Sequence, residues 1–538
     1  MAGIAARSTR FLALAALLLA VTAAGGSAAS PEHGRILGVV PHVGQTAAAP
    51  RLLSLSDVIR AVGPTPLTFD ASYVNLINQY LADVAHDSGG GGNVYSVATQ
   101  YYDNPGPVHI QYQSTFGGSY VDNDPLPADV NTCNDGADPY CLTGLQLENE
   151  IQNAMTAKGW HGGLSNMFFL MTPNGVGSCA GNTNDACSTN IFCAYHSYFT
   201  NSSSERVIYA NEPYEGPYPG CAVGLGFPND KDSDTTINTI SHEHNEAITD
   251  PLTDANNGAW INGDGTAEIA DLCAYVFGTQ TGSPAHNQAI NGHFYDLQEE
   301  YSNAASGCVQ FLGGPTSTAP PGNGTPPLVY NGGPVMHTNT TYAIYWLPTA
   351  RNITAPVVTG TALVNQTLTT TAGTWADGGV PSSYQWQRCS STGTACADIP
   401  GATATTYQLT TADGGHVVRS TVRATNVNGA SPPAPSAGTA LVIDVPASTA
   451  APHISGRAKV GRKLSGSHGT WTYSPAYAYQ WLRCNSHGGS CSSIHRATHS
   501  SYKLTKHDAG HRLRLRITAT NAAGSAVAVS APTGRVQH

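Results

Sequence analysis

The residues best suited to chemistry in this 538-residue chain lie between positions 242 and 271. His242 and Glu246 are four residues apart on a predicted helix, so their side chains share one face and can bind one metal ion. Glu243 lies one residue further round and can activate a water molecule as a general base. This is the spacing of a metalloprotease His-Glu-x-x-His helix, with Glu in place of the second His. The pattern therefore predicts a metal site with hydrolysis as its chemistry.

A third ligand has to come from a separate element. Glu268 lies 22 residues after Glu246, and Asp271 follows it by three residues. Either Glu268 is the ligand and Asp271 orients His242 by a hydrogen bond, or Asp271 itself is the ligand. We expect Zn²⁺ at this site, and Ca²⁺ or Mn²⁺ remains an alternative because carboxylates outnumber the imidazole.

Acidic residues are concentrated around this motif although charged residues make up only 11% of the chain. Exposed acidic helices are common, and a His-Glu-x-x-Glu pattern can also arise by chance. The like charges of these carboxylates nevertheless repel one another, which disfavours the cluster unless a cation offsets the repulsion. Four more side chains are candidates for the same cleft or for orienting the ligands: His244, Asp250, His196 and Tyr195.

Helices and strands alternate irregularly over residues 30–311, which predicts an α+β domain. The helix that carries the motif is expected to begin at Asp234, its N-cap, and to end before Pro251. Asp70 is the expected cap of an earlier helix, and Thr143 with Gln146 forms a predicted capping box at another. The predicted strands are Val108–Tyr112, Met167–Met171 and Val207–Ala210.

The N-terminus and the cysteines indicate export. Arg7 and Arg10 precede an apolar run that ends in small residues, which predicts a signal peptide over residues 1–29; an uncleaved anchor is the alternative. No later segment is apolar enough to span a membrane. The protein is therefore expected to be secreted, with its 12 cysteines in disulfides and neighbours such as Cys133–Cys141 and Cys179–Cys187 paired. The candidates are Cys133, Cys141, Cys179, Cys187, Cys193, Cys221, Cys273, Cys308, Cys389, Cys396, Cys484 and Cys491.

Two C-terminal segments, residues 354–444 and 451–536, are copies of each other with a period of about 95 residues. Each contains Gly-Thr-Trp, Tyr-Gln-Trp and Arg-Cys in the same order, and alternating apolar residues predict two all-β immunoglobulin-like sandwiches. They resemble the tandem modules of secreted actinobacterial proteins. A Pro/Gly/Thr-rich linker is predicted at residues 312–327.

Charge is unevenly distributed along the chain. From residue 451 onward there are 12 Lys and Arg residues and one acidic residue, whereas residues 1–450 carry a net charge of −22. The net charge of −11 argues against nucleic-acid binding by the protein as a whole. The basic second repeat is expected to contact an anionic polymer, such as one of the cell wall.

Three motifs resemble those of the exordium (phosphate-induced protein 1) family, and most closely its secreted bacterial branch. They are Ser241–Pro251, Glu268–Cys273 and the segment from Asn291–Ser302 to Cys308, in that order. The resemblance covers about residues 70–310 and implies an extracellular, zincin-like domain. It leaves the biochemical activity open.

One segment departs from the family order. Members usually have a Gly-Gly-Pro-Val strand before the first helix, whereas here Gly332-Gly-Pro-Val335 follows the linker. Alternation through Tyr342, Ile344 and Trp346 predicts a strand within residues 328–350. A circular permutation would return this strand to the sheet of the first domain; the alternative is a remnant of a truncated second copy.

Two functions are consistent with these features. The first is a secreted metal-dependent hydrolase, most simply a metallopeptidase that acts on a peptide or protein and is held at the wall by its repeats. The second is a non-catalytic extracellular binding or signalling protein that keeps a structural ion. Glu in place of the second His favours the second function, because added negative charge makes a coordinated water less acidic.

Overall fold

The computed structural model describes residues 67–69, 72–180, 186–188, 191–216, 218–253, 258–263, 265–317 and 328–538, and the backbone of 37–41. The predicted signal peptide, Asp70 and residues 318–327 of the predicted linker lie outside this part of the chain. Within it, no helix is both long and apolar enough to cross a membrane.

A six-stranded mixed sheet forms the centre of the first domain. Its strands are β1 (Leu37–Pro41), β2 (Ser114–Asp122), β3 (Asn166–Met171), β4 (Phe192–Thr200), β5 (Arg206–Glu212) and β6 (Asn339–Trp346). Their order across the sheet is β1, β4, β5, β3, β6, β2. Strand β4 is antiparallel to both neighbours, and the other three pairings are parallel.

Strand β6 comes from the segment that follows the linker, and it lies in the interior of the sheet. It pairs in parallel with β3 on one side and β2 on the other, with Thr341 beside both Met167 and Phe116. Its last four residues, Ala343–Trp346, are buried. A parallel strand must be covered on both faces, which accounts for this nearly continuous burial.

Helices cover both faces of the sheet. Helices α1 (Tyr73–His86) and α3 (Lys231–Thr249) pack on one face, and α2 (Gly144–Lys158) packs on the other. Successive side chains of a strand point to opposite faces, so Phe169 enters the core beneath α1 and α3 while Phe168 enters the core beneath α2.

Short strands and 3₁₀ helices complete the first domain. Strand Trp260–Ile261 pairs with Val329–Tyr330, and a 3₁₀ turn covers Asp271–Cys273. The other short elements are the strands Tyr102–Asp103, Val108–His109, Tyr140–Thr143, Val176–Cys179, Gln288–Ile290, His293–Tyr295, Glu300–Ser302, Gly307–Val309 and Thr316–Ser317, and the 3₁₀ helices Val94–Gln100 and Pro219–Cys221.

Several local predictions can be compared directly with these elements. The capping box at Thr143 and Gln146 is confirmed. The prediction that Asp234 caps α3 is wrong: Asp230 is the N-cap and accepts a hydrogen bond from the Ser233 amide, so the helix begins one turn earlier. The predicted second and third strands lie within β3 and β5, whereas the first forms only the short strand Val108–His109.

All 12 cysteines form disulfides, which confirms the prediction that they are paired, and the two neighbouring pairs named above are among them. The six pairs are Cys133–Cys141, Cys179–Cys187, Cys193–Cys221, Cys273–Cys308, Cys389–Cys396 and Cys484–Cys491. Six disulfides are compatible with an extracellular protein.

Each of the two repeats is a β-sandwich built around one fully buried tryptophan, Trp386 or Trp481. The first repeat contains the strands Asn352–Thr354, Val358–Thr359, Thr367–Thr370, Thr374–Trp375, Val380–Cys389, Ala397–Asp398, Thr406–Gln408, Val417–Asn426, Gly429–Ala430 and Ala434–Pro435. The second contains Ser448–Ala450, His453–Ser455, Lys463–Ser467, Thr470–Trp471, Ala476–Cys484, Ser492–Ser493, Ser501–Lys503, Arg512–Asn521 and Gly524–Val529.

Each repeat contains a buried carboxylate in an equivalent cluster. In the first, Asp413 accepts hydrogen bonds from Arg388, Tyr407 and Thr410. In the second, Asp508 accepts the corresponding bonds, including two from Arg483. Burial opposes ionisation, but the hydrogen bonds from Thr410 and Arg388 hold the pKa of Asp413 below its usual value.

We expect Asp413→Asn to destabilise the first repeat by about 1–3 kcal/mol at pH 7, because the hydrogen bonds from Arg388, Tyr407 and Thr410 lose a buried, charged acceptor. The contribution of Asp413 is present above the usual pKa near 4 and is lost as the pH falls through the lower folded value. Urea unfolding followed by tryptophan fluorescence measures both effects. Asp398→Asn, at an exposed position, is the control; an equal loss in both variants would contradict the expectation.

Candidate metal centre

The predicted motif residues lie on α3, on the side that faces β4 and the loop containing Glu268 and Asp271. The side chains of His242, Glu243 and Glu246 are fully buried. Ile237 and Ile240 anchor the same helix in the core beneath the sheet, so the three polar side chains have fixed positions.

One group of ligand atoms is formed by His242, Glu246 and Asp271. Nε2 of His242 lies 3.0 Å from Oε1 of Glu246 and 3.5 Å from Oδ1 of Asp271. The three ligand atoms lie within 4.8 Å of one another. The backbone amide of Asp271 also donates a hydrogen bond to Oε1 of Glu246, at 3.0 Å. Of the two carboxylates considered as third ligand, Asp271 is therefore the one beside His242.

The other nitrogen of His242 contacts Gln298. Nδ1 lies 2.6 Å from the Gln298 side-chain amide, which also donates to the carbonyl of Ala270. The backbone amide of Gln298 donates to Oδ1 of Asn238 on α3, which fixes the segment against the helix. An orienting residue contacts the imidazole nitrogen that does not bind the metal. Here that contact is made by Gln298 at Nδ1, whereas Asp271 faces Nε2. The interpretation of Asp271 as the residue that orients His242 is thus wrong.

A second group is formed by His196, Glu243 and Glu246. Nδ1 of His196, on β4, lies 3.1 Å from Oε2 of Glu243 and 3.6 Å from Oε2 of Glu246. Its Nε2 lies 3.2 Å from the carbonyl oxygen of Asp250 and 3.8 Å from Oε1 of Glu268. His196, which was predicted only as a cleft residue, is therefore in direct contact with the motif carboxylates.

Several buried oxygens of the cluster have no hydrogen-bond partner among the described residues. They are Oε1 of Glu243, Oε2 of Glu246 and both carboxylate oxygens of Glu268. Burying charged oxygens without partners is costly, and a cation relieves that cost. Two imidazoles and several carboxylates form a donor set that suits Zn²⁺ or Mn²⁺, so the residues present fit a divalent cation.

The electrostatics of the cluster reflect burial and crowding. Burial raises the pKa of Glu243 to about 7 and that of Asp271 to about 6, and it also raises the pKa of Glu268. For Glu246 burial is outweighed by His242 and His196, which lower its pKa to about 2. The same carboxylates raise the pKa of both histidines in spite of burial.

Three other predicted site residues have different roles. His244 faces away from the cluster, where its nitrogens contact the hydroxyl of Tyr95 and Oδ1 of Asn339 on β6; burial lowers its pKa to about 4. Tyr195 points into the core beneath α2, because it alternates with His196 along β4. Asp250 accepts a hydrogen bond from the Ala259 amide through its side chain, and its backbone carbonyl oxygen contacts Nε2 of His196. The placement of His244 and Tyr195 in the cleft was wrong.

Residues that the sequence interpretation missed also belong to this region. Gln298 and Glu300 lie in the Asn291–Ser302 motif, so the family resemblance could have indicated them. Oε1 of Glu300 accepts a hydrogen bond from Asn245 on α3. Glu212 and Glu215 are buried, and both accept from the hydroxyl of Thr239; no motif in the sequence indicates them.

The solved structures that match this chain include FN and Ig domains. No protein-family model and no curated protein matches it. The FN1–FN3 domains of chicken CNTN1 match with 14% identity and a TM-score of 0.20, over 35% of this chain and 65% of that one. A titin I-band fragment matches with 18% identity and a TM-score of 0.19, over 34% and 64%. The chain thus spans less than two thirds of the length of these structures.

Proposed function

We propose that this protein is a secreted metal-dependent hydrolase, most simply a metallopeptidase with a zincin-like domain. The observation that carries the proposal is the convergence of His242, Glu246 and Asp271 beside Glu243, with buried oxygens that lack hydrogen-bond partners among the described residues. The resemblance to the exordium family supports the same domain type.

Each residue has a definite part in the proposed chemistry. His242, Glu246 and Asp271 would hold the cation, and Gln298 would keep the imidazole of His242 in orientation. A bound divalent cation supplies Lewis-acid polarisation. Glu243, one residue from His242 on the same helix, would accept the proton of the attacking water as general base.

A peptide is the substrate class that the sheet favours. Strand β1 pairs in antiparallel fashion with the edge of β4, placing Leu37 beside His196. It also contacts α3 and the Asp271–Cys273 turn. An edge that pairs with an extended segment of its own chain can pair with a peptide in the same way, by β-strand addition.

The alternative is a non-catalytic extracellular protein with a structural ion. The burial of His242, Glu243 and Glu246 favours this alternative, because a substrate has to reach the reacting atoms. The side chain of Asp271 is 13% exposed and marks the side of the cluster nearest to solvent. Strand β1 lies on this side, so removal of the N-terminal segment is part of the test.

We expect Glu243→Gln to lower the rate of casein or peptide hydrolysis by about 10²–10⁴-fold, since it removes the general base. The variant should retain the cation held by His242, Glu246 and Asp271, as measured by elemental analysis. Glu205→Gln, at a partly exposed position outside the cluster, is the matched control. The full chain and a chain that lacks residues 30–45 are assayed in parallel.

The outcomes separate the two functions. Hydrolysis that is lost in Glu243→Gln but kept in Glu205→Gln supports the enzyme. A bound cation without hydrolysis in either the full chain or the chain lacking residues 30–45 supports the structural alternative, and a folded, cation-free protein contradicts both.

The basic second repeat is proposed to attach the protein to an anionic wall polymer; loss of binding to such a polymer at high salt is the corresponding test.

A further inference from the structure

The orientation of His196 is set by the backbone. Its Nε2 lies 3.2 Å from the carbonyl oxygen of Asp250. A carbonyl oxygen only accepts hydrogen bonds, so Nε2 must carry a proton and donate it. In the neutral imidazole the lone pair is then on Nδ1. This is the arrangement in which a backbone carbonyl fixes the tautomer of a metal-binding histidine.

Nδ1 of His196 faces two carboxylates. Oε2 of Glu243 is 3.1 Å away and Oε2 of Glu246 is 3.6 Å away, and all three side chains are fully buried. Three electron-rich atoms at these distances repel one another unless a positive charge lies among them. Ligand atoms bonded at about 2.1 Å to one tetrahedral ion are separated by roughly 3.4 Å, which agrees with the observed spacing.

Glu246 belongs to both groups of ligand atoms through different oxygens. Its Oε1 lies 3.0 Å from Nε2 of His242, and its Oε2 lies 3.6 Å from Nδ1 of His196. A carboxylate placed in this way can bridge two cations, which are about 3.5–4 Å apart in two-metal sites.

The charge balance also calls for more than one cation. Four buried carboxylates, Glu243, Glu246, Glu268 and Glu300, and the partly buried Asp271 surround the two imidazoles, and the contacts described for them include neither Lys nor Arg. When these carboxylates are all ionised, one divalent cation leaves most of their negative charge uncompensated in a medium of low dielectric constant. Glu268 lies beside the other nitrogen of the same imidazole, with its Oε1 3.8 Å from Nε2 of His196.

We propose that the domain binds a second divalent cation through Nδ1 of His196, Oε2 of Glu243 and Oε2 of Glu246, so that Glu246 bridges two cations. This inference rests on the proposed metal-dependent function for the first cation. Glu243 would contribute Oε2 to the second cation, and its Oε1 has no hydrogen-bond partner among the described residues. The mixed imidazole and carboxylate donors suit Mn²⁺ or Zn²⁺.

The first test uses the unaltered full chain. It is freed of metal with a chelator, reloaded with two equivalents of Mn²⁺ and measured by electron paramagnetic resonance. Two bridged ions should give an exchange-coupled multiline spectrum. Saturation at one equivalent, or the six-line spectrum of isolated Mn²⁺, would overturn the second site.

The second test compares binding stoichiometry in variants. Elemental analysis after Zn²⁺ loading should give two ions per chain in the unaltered protein and one in His196→Asn. His293→Asn, whose side chain is 50% exposed and outside the cluster, should keep two. Near-ultraviolet circular dichroism checks that each variant is folded.

The results distinguish this inference from the proposed function. One ion in both the unaltered protein and His196→Asn would reject the second cation, assign the charge on His196 to a proton, and leave the first site intact. No ion in the unaltered protein would reject both. Two ions that fall to one only in His196→Asn support the bridged site.

Discussion

A chain of residues 30–312 is expected not to form a cooperatively folded domain, whereas a chain of residues 30–350 is expected to fold. The shorter chain lacks β6, which lies between β3 and β2 and pairs with both. Without it, two parallel strand edges lose their hydrogen bonds in the interior of the sheet. Asn339, which contacts His244 on α3, is lost as well.

The expected loss exceeds the stability of a typical domain. Ala343, Ile344, Tyr345 and Trp346 are buried in the two cores. Removing one large core side chain costs about 2–5 kcal/mol, and whole domains are stable by about 5–15 kcal/mol. The shorter chain should therefore show no cooperative thermal transition and little near-ultraviolet circular dichroism.

The longer chain is the matched control, because it differs only by the linker and the returning segment. A sharp, reversible transition in the 30–312 chain would reject the circular permutation and leave the truncated copy as the explanation for Gly332–Leu347. A native spectrum that is restored when the 30–312 chain is mixed with a peptide of residues 328–350 would support the permutation.

Removal of the cation should destabilise the first domain strongly at pH 8. A cation at a concentration about 1,000 times its Kd stabilises the native state by about 4 kcal/mol, which corresponds to roughly 10 °C in Tm for a domain of this size. We expect a chelator to lower the Tm of the first domain accordingly in differential scanning calorimetry. The transitions of the two repeats serve as internal controls, since their residues are outside the cluster.

The fall in Tm that the chelator causes should become smaller as the pH falls. In the cation-free protein the folded pKa values of Glu243 (about 7) and Asp271 (about 6) lie above their ordinary values near 4. Their favourable contribution is therefore present at low pH and is lost as the pH rises through 6 and 7. Glu246, with its pKa lowered to about 2, changes only in stronger acid. The chelated protein should thus gain stability from pH 8 to pH 5.5.

The cation-loaded protein should behave in the opposite way, because protons compete with the cation for the same carboxylates. The difference in Tm between the loaded and chelated proteins is expected to be largest near pH 8 and smallest near pH 5.5. Equal Tm values for both forms at pH 8 would contradict a cation site in this domain.

Local features of the sequence predicted much of this protein. The disulfides Cys133–Cys141 and Cys179–Cys187, the capping box at Thr143, strands β3 and β5 and the two sandwich repeats each depend on near neighbours or on a short repeated pattern, whereas Cys193–Cys221 and Cys273–Cys308 join residues 28 and 35 positions apart. The four-residue spacing of His242 and Glu246 placed both on one helical face for the same reason. The predicted N-cap of α3 was wrong because Asp230 and Asp234 are both suitable caps. The choice between them depends on which backbone amides donate hydrogen bonds to each side chain.

The composition and the spacing in the sequence by themselves determined which side chains could form a site: His242, Glu243, Glu246 and one of two later carboxylates. The tertiary structure decided that Asp271 is the carboxylate beside His242, that Gln298 contacts its other nitrogen, and that His196 joins the cluster. These contacts connect α3 with β4 and with loops from 25 to more than 50 residues away along the chain. Such distances between residues are set by sheet order and by core packing, which no local pattern encodes.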